Sequence, residues 1–144
     1  MTDLCKAHGL DFFNKANENF RASRSLYDEK LYNAASNRIY FCLIHTALSR
    51  ALSNEVSRDC YLRKNEKIRE KKPDIEYTID KSKIENNIRG IGVKDPRKFS
   101  VLLSTAKSAR AKADYFPEKV TMQELDKQLI DLENILKSEG VLSD

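Results

Sequence analysis

Residues 37–48, NRIYFCLIHTAL, decide how this chain folds. The stretch has no glycine or proline, and between Ile39 and Leu52 only His45, Thr46, Ser49 and Arg50 are polar. A helix that is apolar on most sides belongs at the centre of a bundle. Yet this one carries Arg38 and His45, seven residues apart. That spacing is close to two helical turns, so both side chains point the same way. Stepping by four and three along that line gives Leu31, Ala35, Arg38, Cys42, His45, Ser49 and Leu52. The residues around Arg38 and His45 are small, which leaves room for another helix or a ligand to approach. Tyr40, Phe41, Leu43, Ile44 and Leu48 occupy the other faces and supply the core.

Outward from this stretch, the second helix spans about 31–52. A first helix is expected over about 10–27, with Leu10, Phe13, Ala16, Phe20 and Tyr27 on its apolar face. A short helix over about 82–89 turns Ile84, Ile88 and Ile91 inward, and Gly90 and Gly92 are expected to end it. Asp95-Pro96 is an N-cap followed by proline at the first helical position. It opens a third long helix whose apolar face is Phe99, Leu102, Leu103, Ala106, Ala109 and Ala113. Pro117 breaks that helix. Thr121-Met-Gln-Glu124 matches a capping box, and Met122, Leu125, Leu129, Leu132 and Leu136 carry the last helix to Gly140. The expected fold is all-α, an antiparallel bundle of four to five helices in a single domain over 1–144.

The bulk properties agree. The chain has 144 residues, four glycines and three prolines, which suits one domain of long helices with few breaks. No apolar run near the N-terminus reads as a signal peptide, and none reaches the roughly 18–20 residues of a membrane span. The expectation is a soluble, cytoplasmic protein with no membrane partner. Cys5, Cys42 and Cys60 are odd in number and form no CxxC pair, so neither a disulfide framework nor a metal site is expected, and no cofactor is implied. The net charge of +4 permits nucleic-acid binding without demanding it. A charged elaboration fills about 55–95. Within it, residues 63–72 hold Arg63, Lys64, Lys67, Arg69, Lys71 and Lys72 against Glu66 and Glu70. This is either a solvated surface or a basic rim for a phosphate backbone.

Arg38 and His45 admit a chemical reading. A buried arginine is costly unless paired or solvated, so their shared face is expected to be a groove or an interface. A guanidinium grips a phosphate through two parallel hydrogen bonds, and an imidazole can take or give a proton near neutrality. Together they suffice for RNA cleavage without a metal. His45 would deprotonate the ribose 2′-hydroxyl and Arg38 would stabilise the charge growing on the phosphate. Such chemistry requires the 2′-hydroxyl and leaves DNA uncut. Asn37, Tyr40, Lys64, Lys67 and Lys71 are the candidate RNA contacts around the pair. The competing reading makes His45 a hydrogen-bonded core residue, with Arg38 bonded to a carboxylate such as Asp114. Arg50, on another stripe, is expected at the surface.

Two segments resemble the HEPN family of small prokaryotic helical proteins: YNAASNRIYFCLIHTALSRAL (32–52) and RAKADYFPEKVTMQELDKQLIDLENIL (110–136). The first is similar to the family's second helix, with Arg38 and His45 meeting its Arg-x(4–6)-His pattern. The second resembles the Arg…Asp-Tyr element closing the third helix, here Arg110, Asp114 and Tyr115. The resemblance implies a homodimer in which two Arg–His faces form one ribonuclease cleft. It also implies a toxin or phage-defence role, with a nucleotidyltransferase-type antitoxin or a larger defence protein as partner. Other members are non-catalytic modules that bind RNA, nucleotide or protein. Two positions depart from the pattern. Ile39 stands where active members often carry Asn or Asp, and Ala47 stands where one toxin branch carries the tyrosine its antitoxin modifies.

Overall fold

A computed structural model describes residues 3–53, 62–64, 77–79, 81–115 and 120–143. Helix α1 (Asp3–Asp28) turns back through a three-residue link into α2 (Tyr32–Ser53). Strands β1 (Leu62–Lys64) and β2 (Tyr77–Ile79) pair antiparallel, Arg63 opposite Thr78. Short helices α3 (Lys81–Asn86) and α4 (Ile88–Ile91) follow, then the long helices α5 (Pro96–Tyr115) and α6 (Met122–Glu139). The class is all-α, a helical bundle to which the strand pair is a small addition.

Helix α2 is the axis of the bundle, with α1, α5 and α6 all packed on it. Cross-links give the directions. Gly9 meets Ser49 and Ala16 meets Cys42, so α1 and α2 run antiparallel. Asn17 reaches Val141 and Tyr27 reaches Asp126, so α1 and α6 are also antiparallel. Ile39, Leu43, Ile44 and Leu48 of α2 are fully buried in one core with Phe99, Leu125, Leu132 and Leu136. Each such side chain contributes roughly 1.5–3 kcal/mol by leaving water.

The helix ends follow the local chemistry. Asp95 Oδ1 accepts from the Lys98 backbone N–H at 3.1 Å, and Thr121 Oγ1 accepts from that of Glu124 at 3.2 Å. Gly92 (φ 101°) and Gly140 (φ 79°) close α4 and α6 in the left-handed conformation that glycine adopts without strain. The expected short helix is split at Asn87 into α3 and α4; Gly90 lies inside α4 and does not end it, and the stop is Gly92 alone. Helix α1 begins seven residues before the expected Leu10. Two residues assigned to apolar faces are exposed instead, Leu10 at 60 % and Met122 at 48 %. Met122 is the first residue of α6, whereas Leu10 lies two turns into α1, next to the buried Gly9, and faces outward.

Candidate functional site

The line of small residues on α2 has a close partner, and it is α1 of the same chain. Ala35 and Ala16 are fully buried in this seam. Cys42 Sγ donates to the Ala16 carbonyl at 3.1 Å, and Ser49 Oγ donates to the Gly9 carbonyl at 2.8 Å. The room predicted for a ligand or a second subunit along this line is therefore taken largely by α1. Cys42 behaves as a core residue, and burial pushes its thiol far above the usual thiol range.

Arg38 and His45 meet at one side chain of that helix, Asn19, which is 8 % exposed. Asn19 Nδ2 donates to the Lys15 carbonyl at 3.0 Å and lies 2.9 Å from His45 Nδ1. Arg38 Nη1 donates to Asn19 Oδ1 at 3.4 Å, long for such a bond. One amide thus joins the two residues singled out by spacing. Arg38 is exposed and His45 is half-buried, so the pair lies at the open edge of the α1–α2 seam.

Aromatic rings and cations surround the pair. The His45 ring stacks on Phe12 at 5.6 Å between centroids and 27° between planes, and tilts against Phe41 at 6.2 Å. Lys15 Nζ stands 5.3 Å from the Phe12 ring centre. From α5, Arg110 lies 4.9 Å from the Tyr40 ring and 5.1 Å from that of Phe41, within cation–π reach. Its Nε donates to Asn37 Oδ1 at 2.9 Å. The two segments that carry the family resemblance therefore touch at Asn37 and Arg110. Half-buried aromatics between cations are the composition that holds single-stranded nucleic acid, by stacking and by charge.

The remaining candidates have other places. Asn37 is half-buried and engaged by Arg110. Tyr40 is only 2 % exposed, and its hydroxyl donates to Glu85, which also binds Lys107 Nζ at 2.5 Å. It belongs to the core and does not present itself to a bound strand. Burial and then the Glu85 carboxylate push the Tyr40 hydroxyl far above its usual range. Lys64 ends β1 with its side chain outside the description. Lys67 and Lys71 lie outside the described residues, as do the side chains of Asp114 and Tyr115. Arg50 is not a free surface cation: its Nε donates to the buried Glu139 at 2.7 Å.

Asn19, Phe12 and Lys15 complete the site without having been singled out from the sequence. A signal for Asn19 existed. It stands with Ala16, Phe20 and Ser23 on a stripe that is otherwise apolar or small, where an amide needs a partner. A groove of about 1000 Å³ lies elsewhere, between α5 and α6. Its lining, including Val101, Thr105, Lys127 and Gln128, shares no residue with the Arg38–Asn19–His45 cluster. Among the described residues no group of three or more His, Cys, Asp or Glu could hold a metal, and no helix is long and apolar enough to cross a membrane. No family model, curated protein or solved structure matches the chain.

Proposed function

We propose that the chain is a metal-independent endoribonuclease of HEPN type, acting as a homodimer in a toxin or phage-defence setting. The observation that carries this reading is the convergence of Arg38 and His45 on Asn19, at an open face bordered by Phe12, Phe41, Lys15 and Arg110. Arg38 grips the phosphate, His45 works on the adjoining ribose–phosphate linkage, and a half-buried ring receives a flanking base. A symmetric dimer sets two such faces across one axis, giving a longer track for one strand. The antitoxin or defence partner rests on the family resemblance alone. The test compares a short RNA with its 2′-deoxy counterpart. Cleavage of the RNA alone supports the reading, and equal cleavage of both removes it. Sedimentation of wild type and Arg38→Glu tests the dimer, which the charge reversal should dissociate.

A second reading is a non-catalytic HEPN-like module that binds RNA, nucleotide or a partner protein. Ile39 favours it: the position after Arg38 is fully buried and offers no polar group to the face. Tight RNA binding without cleavage would select it.

A further inference from the structure

We infer that Asn19 is the positioning residue of this site, and that it holds His45 with its ring proton on Nε2. The partners of the Asn19 amide fix its orientation. The Lys15 carbonyl can only accept and the Arg38 guanidinium can only donate, so Nδ2 faces the first and Oδ1 the second. An amide nitrogen carries two hydrogens and accepts none. His45 Nδ1, 2.9 Å from that nitrogen, therefore accepts. A neutral imidazole that accepts at Nδ1 has its hydrogen on Nε2.

The consequence is specific. With the proton on Nδ1, two donors would face each other in a seam where Asn19 is 8 % exposed and the amide cannot turn to water. The resting neutral His45 thus carries its proton on Nε2, with Nδ1 held by Asn19. Asn19 Oδ1 seats Arg38 at the same time, so one side chain orients both groups that meet the substrate. Neither the spacing of Arg38 and His45 nor the family pattern contains this residue. Its catalytic consequence rests on the ribonuclease reading, whereas the protonation pattern belongs to the protein alone.

The test separates the two. The chain has two histidines, so a His8→Gln background leaves His45 as the sole imidazole signal in a ¹⁵N-labelled sample. Long-range proton–nitrogen correlation at a pH where the ring is neutral should show a bare Nδ1 and a protonated Nε2. Asn19→Asp, with two acceptor oxygens, should move the proton to Nδ1 while still seating Arg38. Asn19→Ala should abolish the preference and lower kcat on the order of 100-fold with little change in KM. A protonated Nδ1 in the wild-type background overturns the proposal, as does a folded Asn19→Asp variant with an unchanged pattern. Should Asn19→Asp not fold, the wild-type spectrum alone decides. An intact pattern in a protein inert toward RNA would remove the ribonuclease reading and leave Asn19's role standing. Cleavage by a protein whose Nδ1 carries the proton would do the reverse.

Discussion

Glu139 Oε2 lies 2.7 Å from Arg50 Nε, tying the last turn of α6 to the last turn of α2. The carboxylate is 2 % exposed in its side chain and also accepts from the Lys94 backbone N–H at 2.6 Å. It gathers α2, α6 and the entry to α5 around one buried charge. Glu139→Ala leaves Arg50 only the backbone carbonyl of residue 139, to which its Nη2 donates, and strands the Lys94 N–H. Because Arg50 keeps a third of its side chain in water, the expected loss is about 2–3 kcal/mol, below that of a fully buried pair. Glu139→Gln keeps an acceptor and should lose less. Urea unfolding of both variants measures the order.

The seam between α1 and α2 tolerates no bulk. Ala16 is fully buried and its carbonyl takes the Cys42 thiol. Ala16→Leu should destabilise by on the order of 1–3 kcal/mol through overpacking. Asn19 follows one turn later on the same helix, so displaced α1 also parts Asn19 from His45. Thermal unfolding together with the His45 nitrogen spectrum would register both effects.

These two seams differ in how far they could be read beforehand. The core stripe Leu125, Leu129, Leu132 and Leu136 is a matter of helical period, and the caps Asp95 and Thr121 are local chemistry within a few residues. Both kinds of signal are contained in one segment. The partners of Arg38, His45 and Arg50 lie 19, 26 and 89 residues away along the chain. Spacing shows that Arg38 and His45 share a direction, but what stands opposite depends on how α1 docks. The small-residue line signalled a close approach, and its occupant proved to be the preceding helix. For the same reason Tyr40 reads as available in sequence and is sequestered by Glu85, which the α3 turn brings from 45 residues away.

Tyr40 gives the fold an alkaline limit. Its hydroxyl ordinarily titrates near 10.0 and is held higher in the folded state by burial and by Glu85. Above its ordinary value the unfolded chain releases that proton while the folded chain keeps it. Stability contributed by Tyr40 is therefore full below about pH 10 and falls as pH rises further. Tyr40→Phe should be less stable at neutral pH, by about 1 kcal/mol, and should show a weaker alkaline decline. Unfolding midpoints measured from pH 8 upward in both proteins decide this.

Cys42 should be chemically silent. The thiolate is the reactive form, and the buried thiol is pushed well above its ordinary 9.0. In a Cys5→Ser, Cys60→Ser background a disulfide reagent should label Cys42 only as fast as the protein opens. Rapid labelling of the folded protein would contradict a closed α1–α2 seam.

The Arg38–His45 mechanism is tested by digestion of total RNA in EDTA by wild type, Arg38→Ala and His45→Ala, with the product ends identified. Only wild type should cleave, leaving 2′,3′-cyclic phosphate or 3′-phosphate ends, while both variants stay folded. Three folded proteins that all leave RNA intact, or variants that cut as well as wild type, would contradict it.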